Sequence, residues 1–423
     1  MIRSIGALLV VVVSTGCTPT LTRTRALVSR GDLAGAAVSA GDDRLALQEV
    51  SLAILVRGLD DEPTRVEAMR GLAVAGPVAA RSLSHVVETA RPEVAVLAAA
   101  VLHGEGWRSE RIETVLREGL TAGDAEVRAA ATRALGPSHQ EPGFIRARLA
   151  DEAAVVRLAA IDALAARSTA DPDVIALLIE VVGSDCVPAV RARALRALSR
   201  SGLGEVRLTE LAAEVSASPE LTLRLAAVDA LAPYAVRPGP RTALRRTMSD
   251  SMGVEAVAAA LVLASTGDAD ALRSLRAALS GSSALRASTA AIGAASLAEP
   301  LAPALVAALG REEPEVRLDA AVSLLGTGER GRSLAVLRNL LDESGWVGVH
   351  AALVLAREDD EVAFAHLAEA LESGEPRLRA YISATAGVVP ASLPLLTRSL
   401  ADTDGSVRIA AASAVLRILR RAG

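Results

Sequence analysis

Histidine and cysteine are the side chains here best suited to hold a metal or act as nucleophiles, and their spacing supports neither role. His85, His103, His139, His350 and His366 are scattered, with no HExxH or HxH pair and no carboxylate or thiol at ligand spacing. Cys17 and Cys186 are too few for a disulfide framework or a cysteine zinc site. No phosphate-cradling P-loop, no GxGxxG loop and no GxSxG nucleophile turn is present. The chain therefore reads as a non-enzyme with no cofactor, no metal and no small-molecule substrate.

Cys17 carries a different chemistry. Residues 1–17 read MIRSIGALLVVVVSTGC: a basic Arg3, a short apolar run from Ile5 to Val13, then small residues up to the cysteine. The run is too short to span a bilayer, which takes about 20 apolar residues. The segment resembles a bacterial lipoprotein signal, although Ser14 stands where leucine is common. The resemblance implies cleavage after residue 16 and lipidation of Cys17. An ordinary secretory signal and an uncleaved anchor are the competing readings. Thr18, rather than Asp, after the cysteine points by the same resemblance to the outer membrane, facing the periplasm. The polar stretch Thr18 to Arg25 reads as a short tether, and Leu21 to Ala40 as a helix pair capping the chain from residue 42 onward.

The 45 basic residues are all Arg and are outnumbered by 50 acidic ones, giving a net charge of −5. Nucleic acid calls for clustered positive charge, so it is a poor partner for this chain. Hydrophobic residues make up 51% but aromatics only 1%. A core of Ala, Leu and Val buries little area per helix pair, so it needs many repeated interfaces.

From about residue 45 onward one motif recurs. Val127-Arg128-Ala-Ala-Ala-Thr-Arg-Ala-Leu135 and Val156-Arg157-Leu-Ala-Ala-Ile-Asp-Ala-Leu164 are clean copies. Arg65, Arg191, Arg224, Arg286, Arg317, Arg379 and Arg408 open others, and Ala95, Ala258 and His350 hold the arginine place in three more. Arg65 to Arg408 is 343 residues in 11 steps, about 31 residues each, which is a solenoid period. Each period pairs a Leu-rich helix, such as Leu52 to Leu59, with the Val-Arg helix. Prolines at 63, 92, 188, 314 and 376 stand two or three residues before the arginine place, where the first turn of a helix tolerates them.

A Leu-rich helix, an acidic turn and Val-Arg-x-Ala-Ala-x-x-Ala-Leu every 30-odd residues resembles HEAT repeats, especially the short form found in phycobilisome lyases. The resemblance covers about residues 42–420. It implies an all-α fold, an α-solenoid: a right-handed superhelix of about twelve HEAT-like helix pairs, a curved rod. It also implies protein–protein interaction; the alternative is a lyase-like or other chromophore-modifying enzyme. HEAT-like hydroxylases carry His-Glu dipeptides, and none exists here. The organisation reads as a signal over 1–16, tether and caps over 17–41, and repeats over 42–240 and 241–423. The division falls at Pro233-Tyr-Ala-Val-Arg-Pro-Gly-Pro240, either a longer loop or a change of direction.

The recurring arginines read as a structural ladder aligning repeats, against the alternative of an anion-binding row. Acids lie four residues before the arginine at Asp61, Asp124, Glu220, Glu313, Glu375 and Asp404, close enough to pair with it or with a neighbouring repeat's arginine. Five residues after the arginine place the side chains run Arg70, Ala100, Arg133, Asp162, Arg196 and Asp229, then Leu263, Ala291, Val322, Leu355, Ala384 and Ser413. The apolar half predicts either a groove for a partner helix, with Val322, Leu355 and Tyr381 lining it, or a position turned partly inward. The partner is a protein, and the membrane is reached through the lipid.

Overall fold

The computed structural model describes residues 18–137, 142–166 and 171–421. Among them lie 26 α-helices and no strand, an all-α solenoid of stacked helix pairs. In chain order they are α1 Pro19–Ser29, α2 Leu33–Ala40, α3 Arg44–Gly58, α4 Arg65–Ala75, α5 Ala80–Thr89, α6 Pro92–Gly104, α7 Glu110–Gly119, α8 Ala125–Leu135, α9 Pro142–Leu149, α10 Ala154–Ala166, α11 Pro172–Ser184, α12 Pro188–Leu198 and α13 Glu205–Ser216. The series continues with α14 Leu221–Leu231, α15 Pro238–Asp250, α16 Val254–Ser265, α17 Ala269–Ser280, α18 Ala284–Gly293, α19 Ala298–Ala308, α20 Pro314–Leu324, α21 Arg330–Asn339, α22 Trp346–Ala356, α23 Glu361–Ser373, α24 Pro376–Ala386, α25 Leu393–Ser399 and α26 Gly405–Arg421.

The turn chemistry explains the helix starts. Pro92, Pro188, Pro314 and Pro376 are the first residues of α6, α12, α20 and α24, where their missing N–H is no loss. Asp43, Asp171, Asp268 and Asp360 cap α3, α11, α17 and α23, each accepting from amides of the first turn. Pro238 and Pro240 are absorbed in the first turn of α15, behind a single 3₁₀ turn at Ala232–Tyr234. The Tyr234 hydroxyl donates to the Ser199 carbonyl at 2.8 Å, so this joint is tied down and has no long loop.

Two compact units result, and neither breaks at 240. One is formed by residues 1–134 with 344–423, the other by 135–343. In the second unit α9 to α21 stack as consecutive pairs, each second helix packing on the next, as in α10 on α12, α12 on α14 and α16 on α18. Buried Val, Leu and Ala fill the layers: Val156, Ala160 and Ile161 in α10, Val190 and Leu195 in α12, Leu223 and Val228 in α14.

The first unit joins the two ends of the repeat array. Helix α26 packs on α24 behind it, and also on α3 and α4. Gly58 and Gly71 make that approach possible: a Cβ on Gly58 would strike the Ile409 side chain, and one on Gly71 the Ser413 hydroxyl. Arg44 donates to the Leu419 carbonyl at 3.2 Å, and Arg420 to that of Val74 at 2.9 Å. The first and last described repeats of this unit bury each other, and Arg420 takes part in the contact.

The tether expected at Thr18 to Arg25 is a helix instead. Thr18 is the N-cap of α1, its hydroxyl accepting from the Leu21 amide and donating to Asp43 at the start of α3. Leu21 and Thr24 are buried against the neighbouring helices. Cys17 lies outside the described residues.

Candidate functional site

The arginine ladder is built from the turn outward. The last carbonyls of a first helix and its turn lack helical partners. Nη1 of Arg157 satisfies two of them, Asp151 O and Glu152 O, both at 3.0 Å. Arg128, Arg224, Arg317 and Arg408 repeat the arrangement on the carbonyls six and five residues before each of them. Arg379 takes one such carbonyl, that of Gly374.

The other edge of the guanidinium reaches a later repeat. Arg157 grips Asp185 with two bonds of 2.7 and 3.0 Å, and Arg379 grips Asp402 with two of 2.9 Å. Arg224 meets Glu255 at 3.0 Å and Arg317 meets Glu343 at 2.8 Å. Arg65 pairs with Asp124. The partner is therefore not the acid four residues before; that acid has other work. Asp124 and Asp404 accept from amides of their own helix starts, and Glu313 pairs with Arg311.

Electrostatics reflect this geometry. Burial pushes the Asp402 carboxyl up, but the Arg379 guanidinium and the Asp404 amide outweigh it and hold it below the usual range. Asp124 is lowered in the same way, with burial opposed by Arg65 and two amides. The bond to Asp185 raises Arg157. Guanidinium groups bound on both edges are occupied by the protein itself.

Two ladder positions depart. Arg191 donates Nε to the Val182 carbonyl at 2.7 Å and meets no acid among the described residues. Arg286 makes no side-chain bond among the described residues, and its Nε is buried without a partner. The reason is register. Leu285, in the place where Val127, Val156 and Val190 are fully buried, is 67% exposed, while Ala287 is buried. The motif in α18 thus sits two residues later, with Ser288 in the arginine place, donating to Asp319 of α20. Arg286 is no rung of the ladder.

The ridge five residues after the arginine place divides in kind. Asp162 pairs with Arg193 at 2.6 Å and Arg196 with Asp229 at 2.8 Å, so the charged half is zipped across successive second helices. Leu263 and Leu355 are fully buried, as is Ala291, which the register of α18 takes off the ridge, whereas Val322 is half-buried and Ala384 exposed. Leu355 is a core residue of α22 and cannot line an open groove: α22 is apolar on every side, so its position turns inward. Val322 belongs to one unit and Tyr381 to the other.

Tyr381 is half-buried and meets a residue that the sequence pattern did not mark. Its ring lies edge-on to Trp346 with centroids 4.9 Å apart, and His350 is 6.5 Å away. Trp346 is 54% exposed. Such a pair contributes about 1 kcal/mol beyond its buried area and leaves an apolar face to solvent. In a chain of two Trp, two Tyr and two Phe, an aromatic at the start of one second helix and another in the next was the available signal.

Among the described residues no group of three His, Cys, Asp or Glu is placed to hold a metal. His103 is buried, and desolvation, aided by Arg108, lowers it toward the neutral form; His85 bonds Thr89. His139 lies outside the described residues. A groove of about 280 Å³ between α23 and α25 is lined by Leu371, Glu372, Leu395, Arg398 and Asp402, but Asp402 is already bound by Arg379. Cys186 is an exposed free thiol.

Fold and ladder together define a protein of the α-solenoid class, built to present surface. A family model described as HEAT repeats matches residues 141–232, the stretch running from α9 to α14. No curated protein matches the sequence. Among solved structures, the karyopherin Kap121p bound to the extreme C-terminus of the protein phosphatase Cdc14p aligns at 12% identity and TM-score 0.33, over 86% of this chain and 46% of that one. A Kap121p mutant aligns at 14% and 0.34, over 90% and 51%. The chain spans about half the length of these structures, and likeness this loose says nothing of a shared partner.

Proposed function

We propose that the chain is a protein-interaction scaffold of the bacterial cell envelope, held by a lipid on Cys17 at the outer membrane and facing the periplasm. The observation that carries the scaffold reading is the division of labour among side chains. Most recurring arginines are consumed in joining repeats, while the pair of exposed Trp346 and half-buried Tyr381 lies outside the recurring pattern. HEAT-type repeats over 141–232 support the same reading, since such stacks are scaffolds whose function lies in their decoration. The envelope location rests on the N-terminal sequence MIRSIGALLVVVVSTGC.

The scaffold is tested by crosslinking the mature protein in envelope preparations, beside a Trp346→Ala/Tyr381→Ala variant with an unchanged helical spectrum. Crosslinked species present with the parent and absent with the variant support it; identical patterns overturn the aromatic site. The anchor is tested by Cys17→Ala, expected to leave membranes or accumulate as precursor. Normal cleavage with unchanged membrane association removes the lipid from the proposal.

A further inference from the structure

We infer that the acylated protein is seated on the bilayer without a tether, with the N-terminal end of α1 and the α2–α3 junction lying in the headgroup layer. This rests on lipidation of Cys17. The residue after that cysteine is already fixed: Thr18 caps α1 and bonds the Asp43 carboxylate, which itself caps α3 through the Leu45 and Ala46 amides. Leu21 and Thr24 hold α1 in the fold, so the cap has no slack.

One peptide separates the lipid-bearing Cα from that cap, about 3.8 Å. The headgroup layer of one leaflet is roughly 5–8 Å thick. A cysteine whose acyl chains enter the hydrocarbon therefore draws Thr18, Asp43 and the first turn of α3 to headgroup depth. The surface at that junction suits the position. Leu45, two residues beyond the Asp43 contact, is 53% exposed, and Val38 in α2 is 77% exposed. An aqueous surface gives these side chains nothing to pack on, whereas the interfacial layer accepts them.

The experiment uses the acylated full chain with Cys186→Ser and Leu45→Cys. The cysteine at 45 is then the one free thiol and takes an environment-sensitive fluorophore. The protein is reconstituted into phosphatidylethanolamine–phosphatidylglycerol vesicles, with and without brominated lipid. A parallel protein carries about 20 Gly/Ser residues between Cys17 and Thr18, a spacer spanning roughly 25 Å. The seat predicts blue-shifted emission quenched by brominated lipid, with both effects lost in the spacer protein. Mass spectrometry of the N-terminal peptide separates the two ideas. Acyl groups present with a probe that reports water overturns the seat and leaves the anchor standing; absent acyl groups overturn both.

Discussion

Asp268 shows how tightly single charges are used. It is 3% exposed, caps α17, and accepts from Arg241 at 3.0 Å and Arg245 at 2.7 Å. Burial raises its carboxyl, but the two arginines and the Ala271 amide prevail and hold it at about 2. A carboxyl depressed in the fold stabilises fully above its unfolded value near 3.8 and loses that contribution as pH falls toward 2. Asp268→Asn keeps a capping oxygen and loses the charge. It should cost about 2 kcal/mol at neutral pH, with the gap to the parent narrowing between pH 4 and 2 in denaturant titrations. The ladder gives a second contrast. Arg157→Ala strands Asp185, whose side chain is 8% exposed, and should cost about 3–5 kcal/mol. Arg286→Ala removes no bond and should change melting little. Equal losses in the two variants would contradict the register described for α18.

At the scale of the helix, the sequence shows most of what the structure holds. Pro92, Pro188, Pro314 and Pro376 mark helix starts because a missing amide is cheap only there, and this is a local fact. The phase of α18 was not legible, since Leu285-Arg286 matches the motif better than Ala287-Ser288 and only packing against α16 and α20 decides between them. The inward turn of Leu355 was hidden for a related reason: in a helix apolar all round, pattern does not say which face is covered. Trp346 escaped because the pattern weighs recurrence, and Trp346 does not recur. The packing makes a checkable statement. Leu355→Asp places a carboxylate in a fully buried site and should unfold or severely destabilise its unit, by more than about 4 kcal/mol. Val322→Asp, half-buried, should cost about 1 kcal/mol. Thermal melts of the two single variants measure both.

For the molecule as a whole, the contact of α26 with α3 and α4 was the least legible feature. Residues hundreds of positions apart leave no joint signature in a single sequence, and Gly58 and Gly71 look like ordinary helix glycines until Ile409 and Ser413 arrive. Removing residues 405–421 should therefore strip amide-exchange protection from α3 and α4 at the far end of the chain. Protection unchanged there would show that the first repeats stand without the last. Gly71→Leu, which fills the space of Ser413, should weaken the same contact while leaving α10 to α14 unaffected.

The contact of α26 with α3 and α4 also sets an order of events in folding. Arg44 waits for a carbonyl 375 residues further along the chain, so α3 is among the last helices to be completed. Residues 135–343 can close on neighbours adjacent in sequence, while α3 and α4 hold their apolar faces open until α26 docks. Until that contact closes, a folding chain of this design carries unfinished apolar surface, and an intermediate of that kind is prone to associate through its open faces.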